Sequence, residues 1–101
     1  MASRLDLHDE LVKLLGSQNV YFQPPASVQM KYPAIRYSLS NIENWSADDM
    51  PYKQAKAYEL ILIDPDPDNS LVDAISMLPY CRFDRYYPSD NLNHYVFTLY
   101  F

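Results

Sequence analysis

The sequence predicts an α+β domain with two helices on one face of a mainly antiparallel sheet of four to five strands, in the order α-β-β-β-α-β-β. Two segments carry apolar residues at helical spacing, and the others alternate apolar and polar residues with the period of a strand. The 101 residues match the length of one domain, so residues 1–101 are taken as a single unit. A hydrophobic content of 49% excludes the disordered class.

The first helix is predicted over residues 3–15. Ser3 and Asp6 resemble a capping box, and Gly16 stands where a left-handed residue ends a helix. The residues of its apolar face are Leu7, Leu11, Leu14 and Leu15. Gly16 is the only glycine of the chain, which excludes a glycine-rich loop that cradles phosphate.

Three strands are predicted next, over residues 20–23, 35–39 and 52–64, with a loop over residues 40–51. From Leu60 onward the third strand is apolar on both faces, which predicts a central position in the sheet. Its first half is polar, with Tyr52, Lys53, Gln54 and Lys56. We expect that half to project as an arm and to contact a neighbouring subunit.

The second helix follows the turn Asp64–Asn69, with Ser70 and Asp73 as a capping box and Pro79 beyond its end. Its predicted inner face consists of Leu71, Val72, Ile75 and Leu78. Two strands, over residues 80–87 and 92–101, complete the chain around a turn at residues 88–91.

The charge and composition limit the classes of partner. A net charge of −5 repels phosphate, so nucleic acid is not expected as a direct ligand. The apolar runs are shorter than the roughly 18 residues that cross a bilayer, and the first residues lack a signal peptide, which predicts a cytosol-like location without membrane contact. Ten tyrosines are consistent with partly solvated protein interfaces, and they are equally consistent with ordinary β-strands.

The residues that could carry chemistry do not form a recognised catalytic or metal-binding motif, and no enzyme, metal site or cofactor is predicted. Asp64, Asp66 and Asp68 match the first ligands of a calcium loop, but Asn69 and Ile75 occupy the positions of its required glycine and glutamate. The alternative is that the carboxylates shape a turn before a helix. A nucleophilic enzyme needs a serine or cysteine beside a histidine and an orienting acid, and neither of the two histidines, His8 and His94, stands in a recognisable motif of that kind. Cys81 is interpreted as a core residue, with a reactive thiol as the alternative.

The loop predicted over residues 40–51 is a second candidate interface. It contains Trp45, Asp48 and Asp49, and large apolar groups among acids are typical of docking surfaces. The alternative is that Trp45 folds back over an edge of the core.

Several segments together resemble the tail-terminator proteins of long-tailed bacteriophages, also called tail-completion or tail-to-head joining proteins. The resemblance covers nearly the whole chain, and the order of helices and strands agrees with that fold. The segments are Arg4-Leu5 with the leucine helix, Val20–Pro25, Met30–Tyr37, Tyr58–Asp64 with Pro67-Asp68, and Tyr86 with Asp90–His94.

The resemblance implies a virion protein assembled in the cytoplasm of a bacterial host. It implies a homohexameric ring that caps the tail tube protein, stops tube growth and presents a surface to the head-tail connector or stopper. DNA would pass through its lumen without specific binding. Other neck adaptors, such as a head-completion or stopper protein, a plain protein-binding module and a small hydrolase remain alternatives.

Overall fold

The computed structural model describes residues 4–45 and 53–101, and for residues 43–45 and 53–55 it describes the backbone. The predicted fold class is confirmed: two helices accompany a five-stranded, mostly antiparallel sheet in the predicted order. Neither described helix is long and apolar enough to cross a membrane. The elements are α1 (Arg4–Leu15), β1 (Val20–Phe22), β2 (Ala34–Trp45), β3 (Lys53–Asp64), α2 (Leu71–Ser76), β4 (Cys81–Ser89) and β5 (Leu92–Tyr100).

The strands lie in the order β1-β2-β3-β5-β4, which places β3 at the centre. The short strand β1 runs parallel to β2, from Val20 beside Ile35 to Phe22 beside Tyr37, and the other pairs are antiparallel. The central position of β3 explains why its second half is apolar on both faces, since strands hydrogen-bonded on both sides are usually covered above and below.

The core lies between the helices and one face of the sheet. Leu7, Leu11 and Ile75 from the helices are fully buried with Leu60 and Phe97 from the sheet. Gly16 ends α1 as predicted: its φ is +78°, in the left-handed region, and its amide donates to the Val12 carbonyl. The other predicted cap of α1, at Ser3, lies outside the described residues.

The prediction of a loop over residues 40–51 is wrong in its first part, because β2 continues to Trp45. A β-bulge at Ser40 explains the error. The pairing register shifts between Leu39 and Asn41, and the Ser40 hydroxyl donates to the Ala57 carbonyl at 3.0 Å. The bulge adds one residue to the strand, so the apolar residue after Leu39 is Ile42, and the alternation of period two is broken.

The second helix and the last hairpin also depart from the prediction in detail. Ser70 makes no capping hydrogen bond, and the Asn69 side-chain oxygen instead accepts from the Leu71 amide at 2.8 Å. The helix α2 is short and ends at Ser76. The strand β4 continues to Ser89, because a two-residue turn, Asp90-Asn91 with φ of 53° and 62°, suffices to reverse the chain. Positive φ at both turn residues matches the twist of a hairpin.

Substitutions at two leucines of α1 test which face of the helix packs against the core. We expect Leu11→Ala to lower the free energy of unfolding by about 2–5 kcal/mol, because it leaves a cavity in the core. Leu5→Ala, at a side chain that is 63% exposed, should change it by less than about 0.5 kcal/mol. Urea denaturation at one fixed protein concentration measures both values, and equal losses would contradict the placement of α1.

Candidate assembly interface

The strands β2 and β3 extend beyond the rest of the sheet as a two-stranded arm, defined here as residues 41–45 and 53–56. The pairing of β3 with β5 begins only at Ala57 beside Tyr100, while its pairing with β2 continues out to Trp45 beside Lys53. β1 pairs with β2 no farther than Tyr37. Within residues 4–45 and 53–101, neither long edge of the arm therefore pairs with a further strand. A two-stranded ribbon without such support is marginally stable in water.

The helix side of the arm exposes an apolar side chain beside a cation. Ile42 is 42% exposed and pairs with Lys56, and Leu39 at the base of the arm is exposed as well. Leu39 pairs with the buried Tyr58, which places it on the helix side of the sheet, and the bulge returns Ile42 to that side. The arm therefore extends apolar surface past the region that the helices cover.

The outer edge strands of the sheet carry features that block pairing with another chain. The edge strand β4 has a bulge between Phe83 and Arg85, an ion pair of 3.1 Å between Arg85 and Asp84, and Pro88. The edge strand β1 has three residues and is followed by Gln23, whose side-chain oxygen accepts from the Leu39 amide. Bulges, charges, proline and short length each hinder edge-to-edge pairing. Residues 41–45 and 53–56 of the arm contain neither a proline nor a bulge.

The face of the sheet opposite the helices is basic and aromatic. Arg36, Arg82 and Arg85 are exposed on it, and the Tyr87 ring stacks on His94 with centroids 4.8 Å apart. Glu59 lies in the same face. The connection that follows β1 lies against one end of this face, because the Lys31 amide donates to the Tyr21 hydroxyl. On the helix side, by contrast, exposed charges are mainly acidic and include Asp9, Glu10 and Asp73.

A groove of about 330 Å³ opens on the helix side at the base of the arm. Its lining residues are Leu7, Glu10, Leu78, Pro79, Tyr80, Leu99, Tyr100 and Phe101. The Phe101 amide donates to the carbonyl of Lys56, which fixes the groove beside the first residues of the arm. Met77 and Tyr80, 82% and 83% exposed, extend the apolar surface near the groove. Exposed apolar side chains that cluster in this way are typical of interaction sites.

A cluster of the buried Tyr37 with the half-buried His8 and Arg4 is the arrangement closest to catalytic chemistry. The Tyr37 hydroxyl accepts from Arg4 at 3.2 Å and lies 2.8 Å from Nδ1 of His8. Burial raises the pKa of Tyr37, an effect that Arg4 partly offsets, so the phenol stays protonated. Neither described cavity is lined by these residues. The cluster ties the start of α1 to β2.

The remaining candidates for chemistry have structural contacts. Asp64 is buried and accepts from the Asp66 amide and the Asn69 side chain, and Asp66 accepts from the Asp68 amide. These bonds shape the turn before α2, as in the alternative given for the calcium motif. Across the described part of the chain, no three His, Cys, Asp or Glu side chains come together to hold a metal ion.

The cysteine and the second histidine also have structural surroundings. Burial raises the pKa of the half-buried Cys81 thiol. The His94 ring donates to the Leu92 carbonyl.

The predicted interface residues fall into two groups. The first group belongs to the two strands of the arm and consists of Trp45, Lys53 and Gln54 together with Lys56. Lys56 is half-buried and lies at the base of the arm. Asp48, Asp49 and Tyr52 lie outside the described residues. Trp45 is thus a strand residue, where the sequence predicted a loop. The sequence reasoning missed Ile42, although its spacing of three from Leu39 is the signal of a bulge. It also missed the groove, which three separate segments form.

Removing the Tyr37 hydroxyl tests the cluster of Tyr37, His8 and Arg4. We expect Tyr37→Phe to cost about 0.5–1.5 kcal/mol of unfolding free energy at neutral pH, because Arg4 and His8 lose a hydrogen-bond partner. The folded pKa of Tyr37 is raised, so its contribution is complete below the pKa of about 10 of an unfolded tyrosine and is lost as pH rises through the folded value. The difference in unfolding free energy between wild type and variant should therefore shrink as the pH rises above about 10. A difference that grows with pH would contradict the cluster as described.

No protein-family model matches this chain, and no curated protein matches it significantly. Among the described residues, the features that bear on function are the arm, the groove and the two oppositely charged faces.

Proposed function

We propose that this protein is a structural virion protein of a bacteriophage neck, a tail terminator that forms a ring on the tail tube. The ring stops tube elongation and provides the joint to the head connector. The observation that carries the proposal is the arm, because among the described residues neither of its edges pairs with a further strand and the apolar Ile42 is exposed. The resemblance of the sequence to tail terminators supports the same conclusion.

An arm of this kind favours assembly from identical copies. If the arm of one copy packs on the body of the next, the contact is head to tail, and such contacts close into a ring when the rotation between copies divides a full turn. The protected edges of β1 and β4 restrict pairing elsewhere on the molecule. Six copies are the number that the resemblance implies.

The charge distribution favours one orientation of the copies in the ring. DNA that passes through the lumen is retained least when the lining repels phosphate. The acidic helix side, with Asp9 and Asp73, meets that requirement, whereas Arg36, Arg82 and Arg85 on the opposite face do not. In the proposed ring the arginine face is therefore turned away from the lumen.

The two ends of the ring would meet different partners, the tail tube protein at one end and the head-tail connector or stopper at the other. The alternative functions are another neck adaptor, such as a head-completion or stopper protein, and a non-viral protein-binding module. These alternatives bind a partner without closing a ring on tubes, so oligomeric mass and tube binding separate them from a terminator.

The mass of the assembly and its dependence on the arm test the proposal. We expect wild-type protein, alone or on added tail tubes, to form particles close to six copies in mass photometry and ring-shaped caps in electron micrographs. Ile42→Asp should abolish the particles, because it places a charge in the apolar contact of the arm.

The matched control is Leu5→Asp, which places the same charge on an exposed leucine of α1. It should assemble as wild type does. The proposal would be contradicted by wild-type protein that stays monomeric at every concentration and leaves tube ends uncapped. Tubes of normal length in the absence of the protein would exclude termination and favour a different adaptor.

A further inference from the structure

We propose that the groove at the base of the arm is the receiving site for the arm of a second copy, with Ile42 entering the apolar groove and Lys56 pairing with Glu10. This inference rests on the proposed self-assembly and identifies its contact. The residues named for the groove and for the arm all belong to the described part of the chain.

The groove has the size and chemistry for an apolar anchor. Its volume, about 330 Å³, is at the lower end of the roughly 300–1,000 Å³ typical of ligand pockets, and leucine, proline and aromatic side chains form most of its lining. Tyr80 adopts a φ of 59°, an unusual value for a residue with a side chain, and its carbonyl accepts from the Tyr100 amide at 3.0 Å. Residues held in such conformations cluster at binding sites.

The arm presents the complementary chemistry. Its exposed apolar side chain, Ile42, lies opposite Lys56 in the strand pairing, so an apolar group and a cation occupy neighbouring positions on one side of the arm. The groove combines apolar walls with the carboxylate of Glu10. Complementary charge at the edge of an apolar contact fixes register and excludes wrong partners.

Both charges are available to a second copy. Lys56 and Glu10 form no ion pair with the described residues of their own chain, although the groove lies directly beside the base of the arm. A copy that donates its arm to one neighbour therefore still offers its groove to another. This arrangement allows contacts to propagate from copy to copy, as a ring requires.

Charge reversal tests the contact. Lys56→Glu alone and Glu10→Lys alone each place like charges together, and each should raise the concentration needed for half-assembly at least about tenfold. A mixture of the two variants should assemble again, in alternation. The altered arm of the Lys56→Glu variant then meets the altered groove of the Glu10→Lys variant, and the unchanged arm and groove meet at the next contact. Recovery in the mixture also shows that both variants are folded.

The matched control is Asp9→Lys, which makes the same charge change at the exposed neighbour of Glu10, outside the groove. Sedimentation velocity on the single variants, the mixture and the control measures all outcomes. The inference is overturned if Glu10→Lys behaves as Asp9→Lys does, or if the mixture stays as dissociated as its components. A wild type that stops at dimers while the mixture recovers would uphold the contact and overturn the ring, so the two proposals fail separately.

Discussion

The structure depends on a mismatch in length between the central strand β3 and the strands beside it. β3 has twelve residues, but β5 pairs only with the last eight, from Ala57 to Asp64. Those eight form the floor of the core, where Leu60 and Leu62 are fully buried under the helices. The first four pair with β2 alone. Backbone groups along an open strand edge are templates for another chain. The proposed contact with a second copy therefore uses the same strand that stabilises the first copy.

Much of the fold is encoded in local patterns that act within one element. The leucines of α1, the left-handed Gly16 and the apolar half of β3 each have a physical role that is independent of distant residues, and each was predicted from the sequence. The errors occurred where one residue changes the pattern. Ser40 adds a bulge that hides the continuation of β2, and Asn69 caps α2 in place of Ser70, because its side chain reaches the Leu71 amide.

The candidate interface was predictable only in part. The polar first half of β3 predicted an arm, since a polar stretch on a central strand has no place under the helices. The groove was not predictable, because its walls come from α1, the segment after α2, and the end of the chain around Phe101. No spacing in the sequence reports that these segments meet. The basic character of the face with Arg36 and Arg85 likewise emerges only from the pairing register, in a chain whose net charge is −5.

Amide hydrogen exchange of the arm, at residues 41–45 and 53–56, tests most directly whether the arm is completed by a second copy. The account predicts slow exchange in assembled protein and fast exchange after dilution to the monomer, while amides of the β3–β5 pairing stay protected in both. An arm that exchanges at the same rate in the two states would contradict it.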